Sequence, residues 1–171
     1  MKEIELNSLK LKTFTEQNAL DYCQINNLNS NNIKELSLWN NELTDISEIK
    51  IFKNLEELNL CFNKIKDISV LKDLNKLQDL NISYNKITDI SVLKDLNKLE
   101  TLDISNNEIT DISIIMNFKN LKTLDISYLE LESDQIKYIK SLKNLAYLWC
   151  KKGFKNISGL NQLNKNIKVI K

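Results

Sequence analysis

The chain has 171 residues, 42% of them apolar, and its 24 lysines nearly balance 23 acids for a formal net charge of +1. That length can bury a substantial core in one compact domain, and no run approaches the ~20 apolar residues that a membrane helix needs. With no histidine, and with no G-x-G-x-x-G, P-loop or C-x-x-C motif, the chain cannot assemble a Ser-His or Cys-His relay, an imidazole metal site or a phosphate cradle, and no cofactor is expected.

The first segment follows no repeat. Ile4, Leu6, Leu9 and Leu11 alternate as one or two short strands would, and from Thr15 the residues Ala19, Leu20 and Cys23 share a helical face. Residues 1–32 are thus expected to form an N-terminal cap with a helix over about 15–24. The opening MKEIELNSLKLK has no apolar stretch of the signal-peptide kind, so the expected location is the cytoplasm, or the cell surface if a leader has been removed. Three cysteines without close spacing agree with a reducing compartment, with Cys150 as core, Cys23 as cap-helix packing and Cys61 as an exposed thiol.

From Ile33 a different order sets in. The eleven residues Asp67–Leu77 recur unchanged as Asp89–Leu99, a period of 22. Units of the form L-x-x-L-x-L-x-x-N-x-I-x-D-I-S-x-L-x-x-L begin at Ile33, Leu55, Leu77, Leu99, Leu121 and Leu145. The L-x-L triplets alternate at the two-residue period of a strand. A single unit cannot bury its apolar side alone, so the units stack and their strands align in parallel. Asn41, Asn63, Asn85 and Asn107 fill the asparagine slot. An inward amide there can satisfy turn backbone of its own coil and of its neighbour, so these four read as a structural ladder. Asp45, Asp67, Asp89 and Asp111 precede a short apolar i, i+3, i+6 run and read as N-caps of irregular or 3-10 turns, with Asp45 and Glu48 spaced as a capping box.

This pattern over about Ile33 to Leu163 resembles a leucine-rich repeat. More narrowly, it is similar to the 22-residue class found in bacterial internalins and in a eukaryotic protein phosphatase regulatory subunit. The resemblance implies a right-handed α/β solenoid of five to six repeats over 33–163, with a parallel concave sheet, a mostly irregular or 3-10 convex side and capped ends. It also implies a non-enzymatic module that binds a protein on its concave face. An internalin-like binder of a host surface protein is one reading, and a bacterial cytoplasmic regulator or an immunity-type binder that masks a toxin is another. Abundant Asn, Lys and Ile with no Arg or Pro point to an AT-rich, bacterial genome.

The fifth unit breaks the pattern, with Leu129 in the asparagine slot and 24 residues to the next start. There SDQIKYIKSL predicts an α-helix near 134–143 with Ser133 as N-cap. In the sixth unit Gly153 takes the asparagine slot and Cys150 an inward one, as a terminal coil without a neighbour allows. Residues 164–171 are expected to form a C-terminal cap tail.

Function is expected at the positions between the strand leucines. One column reads Glu35, Glu57, Asp79, Thr101, Thr123, Tyr147; the next Ser37, Asn59, Asn81, Asp103, Asp125, Trp149; a third Trp39, Cys61, Ser83, Ser105, Ser127, Lys151; a fourth, at the strand exits, Asn40, Phe62, Tyr84, Asn106, Tyr128, Lys152. Carboxylates ~4.8 Å apart repel one another, so such rows suit a basic patch on a protein partner. Trp39, Phe62, Tyr84, Tyr128, Tyr147 and Trp149 are the candidate anchors. Charge is also split along the chain. Residues 1–134 hold 15 lysines and all 23 acids, a balance of −8, and residues 135–171 hold nine lysines and no acid, a balance of +9. The basic end, with Lys151, Lys152 and Lys155, gives an alternative reading as a binder of nucleic acid or an acidic partner. A monomer is the expected state.

Overall fold

The computed structural model describes residues 3–5, 14–15, 17, 29–152, 160 and 163–170. Three-residue strands form, each centred on one Leu, Ile or Val: β1 (Glu3–Glu5), β2 (Glu35–Ser37), β3 (Glu57–Asn59), β4 (Asp79–Asn81), β5 (Thr101–Asp103), β6 (Thr123–Asp125), β7 (Tyr147–Trp149) and β8 (Lys168–Ile170). The eight form a single sheet in sequence order, every neighbouring pair parallel. One residue slot runs through all of them in register, from Ile4 through Leu36, Leu58, Leu80, Leu102, Leu124 and Leu148 to Val169. This is a right-handed solenoid in which each coil is one repeat.

The core is a continuous stack of Leu and Ile rungs, closed by Phe14, Phe52 and Phe118, all but absent from the surface. Its opposite wall consists of 3-10 turns at Ser47–Ile51, Ser69–Asp73, Ser91–Asp95 and Ser113–Asn117. Ile49, Leu71, Leu93 and Ile115 point inward from these turns. The DIS aspartates set up each turn one position earlier than a cap: Oδ1 of Asp45, Asp67, Asp89 and Asp111 accepts from the amide two residues on, at 2.7–2.8 Å. The cap residue itself is the isoleucine that follows, such as Ile46. Glu48 closes no capping box. One carboxylate oxygen takes Lys50 at 3.2 Å and the other has no hydrogen-bond partner.

Inside the coils, the asparagine ladder is continuous. Asn63 Nδ2 donates to Leu38 O in the preceding coil and to Leu60 O and Cys61 O in its own, while its Oδ1 accepts from Leu43 N–H. Asn85 repeats this set with Leu60, Ile82, Ser83 and Ile65. Asn107 does so with Ile82, Ile104, Ser105 and Ile87. Asn41, on the first repeat, donates to Leu38 O and Trp39 O. A second polar ladder runs along the outside, where Asn54, Asn120 and Asn144 each donate to a carbonyl 23 or 25 residues back.

The chain differs from the sequence expectations at its end. The helix near 134–143 is shorter, a 3-10 turn Ser133–Gln135 leading into an α-helix Ile136–Lys140, and Glu132 rather than Ser133 stands at the cap. The expected tail carries strand β8, and Ile167 just before it and Val169 within it continue the apolar wall. Most of the predicted cap helix over 15–24, and Gly153 and Lys155, lie outside the described residues.

Candidate functional site

The four predicted columns have four different fates. In the first, Glu35, Glu57 and Asp79 stand in consecutive register on β2, β3 and β4, and β1 places Glu3 in the same row. Beside them Trp39 is 39% exposed, and together they line a hollow of about 330 Å³ with Ser37, Asn59 and Asn81. Like charges at neighbouring strand positions resist ionisation together. Partial burial, and then the charges of Glu35, Asp79 and Glu56, push the Glu57 carboxyl up. Burial likewise raises Asp79, against a hydrogen bond from Thr101.

The second column is partly structural. One side-chain oxygen of Asn59, Asn81, Asp103 and Asp125 accepts the amide two residues on, from Cys61, Ser83, Ser105 and Ser127, at 2.8–3.1 Å. This is an Asx turn that bends the chain out of the strand. Asp103 is half-buried, and burial followed by repulsion from Asp125 raises its carboxyl, against hydrogen bonds from Ser105 and Ser83.

That bend overturns the reading of the third column as surface. Cys61, Ser83, Ser105 and Ser127 are buried, tucked under the turn, while Trp39 and Lys151 at the two ends remain exposed. Cys61 is therefore not an exposed thiol, and burial pushes it up to about 11.

Residues of the fourth column leave the sheet face altogether. Asn40, Phe62, Tyr84, Asn106, Tyr128 and Lys152 all have positive φ, between 51° and 60°. Each of the first five donates its N–H to a carbonyl of the next coil, so the ladder between coils holds the backbone left-handed even where the side chain is a bulky aromatic. The reversal turns Phe62, Tyr84 and Tyr128 into a separate groove of about 740 Å³ along the strand-exit edge, walled by Glu42, Lys64, Asn106 and Glu108. Phe62 stacks on Tyr84 with ring centres 4.0 Å apart. The predicted binding residues thus divide between two surfaces. At the far end of the sheet Trp149 is half-buried against Tyr147, at 5.8 Å, and Lys168 lies over Tyr147. Lys151 and Lys152 lie over Tyr128 at about 6 Å.

Two residues of this surface were not found from the sequence. Glu3 joins the acidic row although the 22-residue spacing fails between it and Glu35, and Lys168 ends the row beyond the degenerate repeat. Only the strand alternation of Ile4 and of Val169 could have signalled them. Among the described residues no group of three or more His, Cys, Asp or Glu is placed to hold a metal ion, and no helix is long and apolar enough to cross a membrane.

The family pattern "Leucine rich repeat" matches residues 53–109, and the pattern "Leucine Rich repeats (2 copies)" matches 31–73 and 97–136. This chain is a leucine-rich repeat protein. Among solved structures, the leucine-rich repeat chain is similar to an internalin (inlF) from Listeria monocytogenes, with TM-score 0.75 and 31% identity over 80% of this chain and 40% of the internalin. It is also similar to an internalin C2 from the same species, with TM-score 0.69 and 32% identity over 81% of this chain and 61% of that one. A leucine-rich repeat protein from Leptospira interrogans matches with TM-score 0.74 and 32% identity over 94% of this chain and 40% of its own length. The chain therefore spans between 40% and 61% of the length of these relatives. No curated protein matches it. The repeats and neighbours make it a protein-interaction repeat module.

Proposed function

We propose that this module binds a basic protein segment on its sheet face, over the N-terminal half, without catalysing a reaction. The observation that carries this is the unbroken row Glu35, Glu57, Asp79 beside exposed Trp39 in one hollow. Lysine or arginine side chains entering that row would relieve the repulsion that, after burial, raises Glu57, and would offset the burial of the Asp79 carboxylate, while the indole supplies apolar area for their aliphatic stems. Asp103 and Asp125 contribute charge, but each has one oxygen committed to its own turn. Tyr147, Trp149 and Lys151 extend the surface at its other end.

A bacterial regulator or immunity-type binder in the cytoplasm fits such a small open face. Likeness to two internalins favours a second reading, a module that recognises a host surface protein. Both readings share the test. Immobilised chain is used to capture partners from a lysate of the source organism and from host cell extract, in parallel with Trp39→Ala and with Glu57→Lys plus Asp79→Lys. Loss of one basic partner with both variants, and its release by salt, is the expected result. Equal recovery on all three baits would refute the acidic face as the binding surface.

A further inference from the structure

We infer that the groove along the strand-exit edge is a second docking site, whose occupant is an extended, proline-rich segment of a protein partner with acidic residues at the end that meets Tyr128. The groove shares no lining residue with the acidic hollow on the sheet face, so it is a separate surface of the same module. Three of the six large apolar side chains left exposed among the described residues, Phe62, Tyr84 and Tyr128, stand in it. They are held there at a cost. All three have φ between 52° and 60°, where an aromatic residue is disfavoured and Asn is well tolerated, and Asn40 and Asn106 fill the same slot in neighbouring coils. Strain kept at the very positions that make one surface apolar points to a use for that surface.

Spacing selects the occupant. Coils follow one another at about 4.8 Å, so Tyr84 and Tyr128, two coils apart, are about 9.6 Å from each other along the edge. A polyproline II helix repeats every three residues, or about 9.3 Å, so its residues i and i+3 meet the two tyrosines in turn. Phe62, stacked on Tyr84 with ring centres 4.0 Å apart, extends the platform by one coil. Such a helix makes no internal hydrogen bonds, which leaves its carbonyls free to accept from the tyrosine hydroxyls and from the Asn106 amide between them. Charge then sets the end. Glu42 is bridged by Lys64 at 3.2 Å, leaving Glu108 as the remaining carboxylate of the lining. Against it stand two exposed ammonium groups, Lys151 and Lys152, each about 6 Å from the Tyr128 ring. Acids on the segment at that end meet both.

The experiment is fluorescence anisotropy of the full chain with a labelled oligoproline ending in two glutamates. Comparison probes are the same oligoproline ending in two glutamines, a glycine-serine peptide ending in two glutamates, and a neutral cello-oligosaccharide. Expected is saturable binding of the first probe, weaker binding of the second and none of the other two. Tyr84→Asn and Tyr128→Asn put into the slot the residue that Asn40 and Asn106 already supply, so the circular dichroism spectrum should stay intact while each weakens binding about tenfold or more. Lys151→Glu plus Lys152→Glu should erase the advantage of the glutamate end. Trp39→Ala, on the sheet face, should leave binding unchanged, so that failure of this site and failure of the acidic row are read separately. Absence of saturable binding by either oligoproline overturns the inference. Equal binding of the glycine-serine peptide, preference for the oligosaccharide, or indifference to both tyrosine variants overturns it equally.

Discussion

Replacing Asn85 by alanine tests the ladder at its centre. The side chain makes four hydrogen bonds: Nδ2 to Leu60 O at 3.0 Å, to Ile82 O and to Ser83 O at 3.1 Å, and Oδ1 from Ile65 N–H at 2.9 Å. The carbonyls do not lose everything. Leu60 O keeps Asn63, Ile82 O keeps Asn107 and Ser83 O keeps the Phe62 amide. Ile65 N–H keeps nothing and is left buried without an acceptor, at about 1–3 kcal/mol; the net loss of the other bonds brings the expected cost to about 2–4 kcal/mol. Against a total stability of about 5–15 kcal/mol this is a large fraction. Urea unfolding followed by circular dichroism should show the midpoint falling with little change in slope. Lys86→Ala, on the exposed neighbour of the same coil, should stay within about 0.5 kcal/mol of the parent. Asn85→Asp separates donors from mere volume. It keeps an acceptor for Ile65 N–H but aims a charged oxygen at three carbonyls, so at neutral pH it should cost at least as much as alanine. A loss below about 1 kcal/mol for Asn85→Ala, or an aspartate variant as stable as the parent, would refute the reasoning.

Asp103→Asn reproduces the residue already present at Asn59 and Asn81, keeps the acceptor for Ser105 N–H and removes the repulsion from Asp125, so it should stabilise by about 0.2–1 kcal/mol at neutral pH. Because the Asp103 carboxyl titrates above its ordinary value when folded, the ionised form opposes folding; stability of the parent should improve as pH falls through that raised value toward the ordinary carboxylate value, and the advantage of the variant should vanish in acid, as denaturant midpoints across pH will show. Cys61→Ser should change stability by less than about 1 kcal/mol, since serine fills the same slot at Ser83, Ser105 and Ser127. In the native chain, alkylation mapped by mass spectrometry should find Cys61 far slower than after unfolding, because burial holds the thiol protonated. Lys152→Gly removes a side chain from a left-handed position at φ 52° and should raise stability by about 0.5–1 kcal/mol, less the weak contact of its ammonium with Tyr128, measured by thermal melts.

The repeat was legible because burial imposes it. Leu58, Leu80 and Leu102 recur at one spacing for the reason that they occupy one rung-shaped space, and Asn63, Asn85 and Asn107 recur because the same carbonyls wait for them in every coil. Direction was harder to read than composition. Alternation alone sends Ser83 and Ser105 outward, but the Asx turn at Asn81 and Asp103 interrupts the alternation at that point and buries them. Likewise the left-handed residue that follows rotates Tyr84 off the sheet and onto the edge groove, a change of surface that no hydrophobic pattern encodes. Glu3 and Lys168 escaped notice because the period stops short of both, and only strand pairing brings them into the row.

Each ladder asparagine speaks only to its own coil and the one before it, and the donors and acceptors it meets are equivalent in every unit. Unequal recombination between the duplicated DISVLKDLNKL stretches would excise residues 67–88 from the gene and bring Asn107 against Ile65 just as Asn85 stands now. The shortened protein would close every bond it had, yet its recognition row would pass from Glu57 straight to Thr101, shedding the charge of Asp79. Architecture of this sort lets a lineage revise what it grips by changing how many units it carries, while the interior is left undisturbed.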